Sequence, residues 1–252
     1  MFDLKGRVAV VTGGNGGIGL GMARGLASSG ARVVIAGRNA EKSRAAAKDL
    51  ERFGTDPVTV EVDVAVEASV EAMVARTLER CGRLDILVNN AGTNIRRRPE
   101  TYSVEEWRSV LDTNLTSAFL CSRAAFPAFK RAGGGKIINI GSMMSLFGAS
   151  FAGPYSASKG GLVQFTKSCA VAWARDNVQV NAVLPGWIDT DLTRQARQQI
   201  EGLHDSVLQR TPAGRWGVID DFAGVAVFLA SAASDFITGA VITVDGGFSV
   251  QG

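Results

Sequence analysis

Short apolar runs alternate with longer amphipathic stretches along most of the chain. The runs at 7–11 and 32–36 are rich in β-branched residues, as buried parallel strands are. Apolar residues at helical spacing follow them, for example over 40–53 and 67–81. This alternation, with short connections, predicts an α/β fold: a single-domain, Rossmann-type doubly wound parallel sheet with helices on both faces.

The second half of the chain continues the pattern and adds one insertion. Further strands are predicted at 58–62, 84–88, 136–140, 178–183 and 240–244, and further helices at 104–129 and 220–233. Residues 187–217 are polar, rich in glutamine and arginine, and are expected to hold two short helices. Within one domain spanning 1–252, such a segment is either an ordinary surface excursion or, as we favour, a substrate lid.

Composition narrows the class of protein. The chain has 252 residues, of which 46% are hydrophobic and 20% charged, enough for one globular domain with a large core. The net charge of +3 is small and spread out, so a nucleic-acid partner is not expected. Neither a leader pattern nor an apolar run of membrane-spanning length is visible, and the three cysteines are far apart. We therefore expect a cytoplasmic protein with free thiols and no membrane partner.

The single histidine excludes two kinds of site. His204 lies in a polar stretch, away from any serine or cysteine elbow, and is expected at the surface. A hydrolase triad built on it is disfavoured. A multi-histidine metal site is impossible, and no metal is expected.

A glycine-rich loop directly follows the first predicted strand and opens a helix. Gly13, Gly17 and Gly19 lie in this loop, together with Asn15 and Ile18. Glycines allow the backbone to approach a pyrophosphate, and a helix N-terminus supplies N–H groups and positive dipole. In this context the loop predicts a dinucleotide site, although its spacing is not the usual G-x-G-x-x-G.

The end of the second strand bears on the choice of coenzyme. An acidic residue commonly binds the adenosine ribose there, but the chain has Arg38, which suits a 2′-phosphate. NADP is therefore favoured. NAD remains possible if Arg38 is only solvated, and Asn15, where a basic residue would help, weakens the case for NADP.

Ser142, Tyr155 and Lys159 form the candidate catalytic group. Tyr155 and Lys159 are four residues apart, so on a helix both point into one cleft. A nearby ammonium lowers the pKa of a phenol, which would suit Tyr155 for proton transfer near neutral pH. Ser142 ends an apolar run and would donate a hydrogen bond to the same reacting oxygen. Taken alone, a tyrosine and a lysine at this spacing are explained by coincidence on a solvent-exposed helix.

Several motifs together resemble the short-chain dehydrogenase/reductase family over essentially the whole chain. They are the glycine loop from Thr12 to Gly19, Asn89-Asn90-Ala91-Gly92, Asn114, Ser142, Tyr155-x-x-x-Lys159, Pro185-Gly186 and Val244-Asp245-Gly246-Gly247. The resemblance implies hydride transfer between a nicotinamide and an alcohol or ketone, with Tyr155 passing the proton.

The resemblance also implies roles for individual residues. Asn114 would bulge its helix and hold a water that links Lys159 to solvent, and Lys159 would bind the nicotinamide ribose. The cofactor contacts implied are Asp63 and Val64 at the adenine, Asn89, Ala91 and Gly92 along the nicotinamide half, and Pro185, Gly186, Ile188 and Thr190 at the carboxamide. The family generally forms homodimers or homotetramers through helices of the region that continues after Lys159, although the small residues there would also suit ordinary close packing.

The substrate is predicted from the residues around the expected cleft. Arg96 follows the Asn-Asn-Ala-Gly motif, and arginine forks bind carboxylates. Details of this region resemble the sugar-acid subgroup, which includes gluconate 5-dehydrogenases and 2-deoxy-gluconate 3-dehydrogenases. Met144 and Trp187 would instead shape an apolar pocket for a 3-oxoacyl thioester or a small cyclic ketone. A non-catalytic cofactor sensor is the alternative of a different class.

Overall fold

The computed structural model describes residues 1–251. The strands are β1 (Val8–Thr12), β2 (Arg32–Gly37), β3 (Val58–Glu61), β4 (Ile86–Asn89), β5 (Gly135–Ile140), β6 (Val178–Pro185) and β7 (Val241–Val244). The helices are α1 (Gly17–Ser28), α2 (Ala40–Glu51), α3 (Glu67–Cys81), α4 (Val104–Leu111), α5 (Ser117–Ala132), α6 (Gly153–Trp173), α7 (Asp191–Gln199), α8 (Leu203–Arg210) and α9 (Ala223–Ala230). Within the described residues, every helix is too short or too polar to cross a membrane.

The strands form one parallel sheet in the order β3-β2-β1-β4-β5-β6-β7. Alternate side chains of β1 pack on opposite faces of the sheet, because successive side chains of a strand point in opposite directions. Val10 packs with Phe129 of α5 on one face, and Val11 packs with Met22 of α1 and Phe222 on the other. Both faces are thus buried under helices, which confirms the doubly wound fold.

Two predicted helices differ in detail from the structure. The helix expected over 104–129 is divided by a wide π-helical turn at Asp112–Thr116, which is the bulge that the resemblance implied for Asn114. The helix expected over 220–233 is reduced to α9, with 3₁₀ turns before and after it. Ser231 ends α9 because its backbone is extended and its hydroxyl accepts a hydrogen bond from the N–H of Ala233.

The segment 187–217 contains α7 and α8, the two short helices predicted from its sequence. Ala196, Leu203 and Val207 pack around Trp216 in a small apolar cluster of their own. His204 is exposed and stacks on Trp216, at 6.1 Å between ring centroids. The segment therefore has its own small core beside the main sheet.

Candidate active site

A cleft of about 490 Å³ opens at the carboxyl ends of the strands. It lies where β1 has β2 on one side and β4 on the other, the point at which ligands bind in sheets of this topology. Most residues expected to bind the dinucleotide line it, namely Gly13, Asn15, Gly17, Ile18, Arg38, Asp63, Val64, Ala91, Gly92, Tyr155, Lys159, Pro185, Gly186, Ile188 and Thr190. The sheet therefore brings these distant segments together.

The glycine loop presents the N-terminus of α1 to the cleft. Gly13 and Gly17 have φ angles of 63° and 52°, which side-chain-bearing residues rarely adopt. Gly16 caps α1 without a side-chain hydrogen bond, and the first turn carries no acidic residue. The first N–H groups of α1 thus remain available to an anion. A dinucleotide pyrophosphate fits this cradle.

Asn89 and Gly19 lie behind the cleft wall instead of on it. The Asn89 amide donates hydrogen bonds to Ser122 (3.1 Å) and Asn139 (2.8 Å) in the core. A Cβ atom on Gly19 would come within 2.4 Å of the Asn90 amide nitrogen, which itself binds the carbonyl oxygen of Gly13. Both residues position the loops that line the cleft.

The adenine end of the cleft holds Arg38, whose side chain is exposed. The Asn15 amide donates to the Ser43 hydroxyl on α2 (3.1 Å), so Asn15 joins the glycine loop to that helix. Asn39 caps α2 by accepting from the N–H of Lys42 (2.9 Å). Lys42 also lines the cleft, although sequence reasoning did not single it out. Lys42 follows Arg38 by four residues, and this spacing could have indicated that the two side chains lie at the same end of the cleft.

Tyr155 and Lys159 both lie on α6 and face the cleft. The Lys159 ammonium nitrogen is 5.7 Å from the centre of the Tyr155 ring and donates to the carbonyl oxygen of Ile140 (2.6 Å). Ile140 ends β5, and Ser142 follows it two residues later. The helix and the strand end thus bring phenol, ammonium and serine hydroxyl together.

Ser142 is held so that its hydroxyl can donate toward Tyr155. The Ser142 Oγ atom accepts a hydrogen bond from the N–H of Met144 (3.1 Å). Its backbone N–H is bound by Ser145, which also donates to the carbonyl oxygen of Lys159 (2.8 Å). With one lone pair occupied, the Ser142 hydroxyl proton can point at the phenol or at a reacting oxygen.

The pKa values of the pair differ from the expectation drawn from the sequence. Removal of its hydroxyl from water raises the pKa of Tyr155, while the hydrogen bond from Ser142 and the charge of Arg96 lower it by less. Burial also lowers the pKa of Lys159 to about 8. Desolvation disfavours the charged form of both groups. Lys159 therefore loses its proton more readily than the exposed lysine on which the expectation was based.

The burial of Lys159 predicts a pH-dependent stability. Its folded pKa of about 8 lies below the usual 10.5, so between these values the unfolded chain binds more protons. The free energy of unfolding should therefore rise with pH across this window. Relative to Lys159→Met, the wild type should gain about 2 kcal/mol between pH 7 and pH 10, measured by urea denaturation. A constant difference between the two proteins would contradict the assignment.

Asn114 occupies the centre of the π-helical turn and is buried. Its side-chain oxygen accepts from the N–H of Thr93 (2.8 Å), and its amide donates to the Thr93 carbonyl oxygen (2.9 Å) and to Ser158 (3.1 Å). These three hydrogen bonds join the loop after β4 to α6. The water contact that the resemblance implies for Asn114 stays a prediction.

Most arginines in the run 96–98 and in the segment 187–217 are neutralised by carboxylates. Arg97 pairs with Glu106 and Arg215 with Asp221. The remaining pairs are Arg98 with Glu100, and Arg194 and Arg197 with Asp189. Arg210 instead stacks between the rings of Phe147 and Phe248.

Arg96 also lacks a carboxylate partner and lies beside Tyr155. It is partly buried and donates to two neutral acceptors, the Leu192 carbonyl oxygen (3.0 Å) and the Gln199 amide oxygen (3.2 Å). Burial lowers its pKa, and the neighbouring Tyr155 phenol partly opposes this effect. Among residues 1–251 it has no carboxylate partner, so its charge is available to a ligand beside Tyr155.

Met144 and Trp187, the other predicted substrate residues, pack together with Met143 and Phe248 in an apolar cluster. Trp187 also contacts Trp216, with ring centroids 5.7 Å apart in an edge-to-face arrangement. These contacts join the segment 187–217 to the main body. Further cleft residues that the sequence did not single out are Thr113, Ile140, Gly141, Asp191, Leu192 and Thr193.

Comparison with known proteins agrees with this geometry. A family model described as enoyl-(acyl carrier protein) reductase matches residues 13–249. The chain is 41% identical to 2-dehydro-3-deoxy-D-gluconate 5-dehydrogenase of Formosa agariphila, covering 98% of this chain and 94% of that one. It is 40% identical to gluconate 5-dehydrogenase of Gluconobacter oxydans, with 100% and 98% covered.

A solved structure is similar over the same extent. The gluconate 5-dehydrogenase of Burkholderia cenocepacia in complex with NADP and tartrate superposes with a TM-score of 0.93 at 40% identity, covering 99% of this chain and 97% of that one. The cleft, its Tyr155–Lys159 pair and these full-length matches lead to one conclusion. The chain belongs to the short-chain dehydrogenase/reductase family, oxidoreductases that act on CH–OH groups.

Proposed function

We propose that this protein interconverts a hydroxyl and a keto group on a sugar acid such as gluconate, with NADP as the coenzyme. The observation that carries the proposal is the Arg96 guanidinium, which has a carboxylate-free environment beside Tyr155. Such a fork suits the carboxylate of an aldonic acid. Relatives at about 40% identity are named for gluconate or its dehydro-deoxy form, which supports the same substrate class.

The residues present fit a dinucleotide phosphate. The N-terminus of α1 would hold the pyrophosphate, Arg38 the 2′-phosphate, and Lys159 the nicotinamide ribose. When bound, this group supplies or accepts the hydride. The protein's part is to position it and to manage the proton.

Tyr155 holds that proton at its phenol oxygen. In reduction the phenol donates it to the substrate oxygen, and in oxidation the phenolate accepts it. Ser142 donates a hydrogen bond to the same oxygen, which stabilises the developing charge. The raised pKa of Tyr155 favours the phenol form at neutral pH and thus the donating role. Asn114 fixes the two walls of the site through Thr93 and Ser158.

Absorbance of the reduced nicotinamide, followed with a panel of substrates, tests this function. Gluconate and 5-ketogluconate should turn over with NADP(H). Turnover of 3-oxoacyl thioesters or small cyclic ketones alone would replace the substrate assignment. Coenzyme binding without any turnover would favour a sensor.

The coenzyme preference can be tested at Arg38. Its guanidinium lies at the end of β2 and is free to pair with a 2′-phosphate. We expect Arg38→Asp to shift the ratio of kcat/KM values for NADP and NAD at least 10²-fold toward NAD, because it replaces attraction by repulsion. Steady-state kinetics with both coenzymes measures the shift. An unchanged ratio would remove Arg38 from the site.

We also propose that residues 187–217 form a lid over the substrate. Leu192 and Thr193 line the cleft, and the hydrogen bond from Arg96 to Leu192 joins this segment to the opposite wall. Two short helices around a small core suit movement as a unit. Peptide-resolved hydrogen exchange with and without coenzyme would report whether the segment closes.

The protein is further proposed to be a cytoplasmic homodimer or homotetramer. Phe119 of α5 and Val171 of α6 are 42% and 84% exposed, and Phe119 stacks edge-to-face on Phe165. Exposed apolar side chains on two adjacent helices favour a subunit interface there. Sedimentation velocity gives the assembly state directly. Buried free thiols at Cys121 and Cys169 suit a reducing compartment.

A further inference from the structure

An ion pair joins α2 to the start of α7 across the coenzyme cleft. The Lys42 ammonium on α2 lies 3.8 Å from the Asp191 carboxylate, which begins α7. Both residues line the cleft, and both side chains are mostly exposed. The pair therefore connects α2 to the segment 187–217.

Lys42 is placed to serve a second anion. The cap from Asn39 fixes the first turn of α2, so Arg38 and Lys42 are held at the same end of the cleft. The N-terminal end of α2 and the two cationic side chains favour negative charge there, although Glu41 in the same turn opposes it. A 2′-phosphate bound by Arg38 would lie within the field of Lys42.

Asp191 has another cation, whereas Lys42 has no second carboxylate among residues 1–251. The Asp191 carboxylate also pairs with Arg194 on the next turn of α7 (3.3 Å). Loss of Lys42 would leave Asp191 paired with Arg194. A phosphate can therefore replace Asp191 as the ion-pair partner of Lys42 without leaving Asp191 unpaired. The two anions thus compete for one ammonium.

We propose that Lys42 is a second specificity residue for the 2′-phosphate and that Asp191 competes with that phosphate for it. The inference rests on the NADP binding proposed above. Because coupling between sites is reciprocal, a 2′-phosphate that captures Lys42 also releases the start of α7. NADP and NAD would then differ in their effect on the segment 187–217.

Titration calorimetry with NADPH and NADH tests the proposal on the wild type and four variants. Lys42→Met should raise the Kd for NADPH about tenfold, the loss of one charge-assisted contact, and change the Kd for NADH less than twofold. Asp191→Asn should lower the Kd for NADPH about threefold, and this gain should vanish when Lys42→Met is also present. The matched control is Lys48→Met, which removes the same charge about 9 Å further along α2.

The outcomes separate the two proposals. If Lys42→Met weakens both coenzymes equally, or neither, Lys42 does not read the 2′-phosphate. If Asp191→Asn weakens NADPH binding, or strengthens it equally without Lys42, the competition is refuted. Wild-type protein that binds neither coenzyme would reject the proposed function along with this inference. Thermal melting confirms that each exposed substitution leaves the fold intact.

Discussion

Tyr155→Phe should lower kcat about 10³-fold and leave the Kd for NADPH within about twofold of the wild-type value. The phenol is the group that Ser142 and Arg96 act on, and removing its oxygen removes the proton donor while preserving the shape of the ring. General acid–base catalysis contributes about 10² to 10⁴ in rate. Stopped-flow absorbance separates the hydride step from binding and release.

Tyr102→Phe is the matched control, since the chain has two tyrosines. The Tyr102 hydroxyl donates to the Ile95 carbonyl oxygen (2.6 Å) and supports the loop before α4. The hydroxyl also accepts from the N–H of Arg97, and loss of these part-buried hydrogen bonds should lower the melting temperature by a few degrees, with kcat reduced only severalfold. If Tyr155→Phe keeps a turnover similar to that of Tyr102→Phe, Tyr155 is not the proton donor.

Arg96→Gln should lower kcat/KM for a sugar acid about 10² to 10³-fold. Truncating one partner of a buried charge pair costs about 2–5 kcal/mol, whereas an uncharged polyol or ketone would lose little. The neutral hydrogen bonds to Leu192 and Gln199 can partly survive with glutamine. Comparison of kcat/KM for charged and uncharged substrates measures the effect.

A second measurement separates the role of Arg96 in binding the substrate from its effect on the pKa of Tyr155. The charge of Arg96 lowers the pKa of Tyr155, so its removal should shift the rising, acid-side limb of the oxidation rate profile to higher pH. Arg97→Gln is the control, because Arg97 already pairs with Glu106 (3.0 Å). Equal losses for charged and uncharged substrates would show that Arg96 holds the segment 187–217 instead of the substrate.

The fold and the site residues were accessible from the sequence for different reasons. Strand and helix periodicities are local, so the alternating pattern predicted the doubly wound sheet, which the structure confirms. The i,i+4 spacing of Tyr155 and Lys159 is also local once α6 forms. The position of a cleft at the carboxyl ends follows from topology alone.

Other features depend on contacts between distant segments. The π-helical turn at Asn114 is stabilised by Thr93 and Ser158, residues 21 and 44 positions away. The hydrogen bonds to Ser122 and Asn139 hold Asn89 behind the cleft wall. No periodicity along the chain encodes such pairings, so only the family resemblance pointed to the bulge at Asn114, and Asn89 was expected to face the cleft.

The sequence by itself determined the class of fold, the dinucleotide cradle and the pairing of a phenol with an ammonium on one helix face. Tertiary structure alone decided which charges are free. It neutralised most arginines near the cleft, left Arg96 unpaired among the described residues, set Lys42 against Asp191, and made Lys159 a weaker base. The physical reason is that hydrogen-bond periodicity is a property of neighbouring residues, whereas desolvation and ion pairing depend on which distant groups surround a side chain.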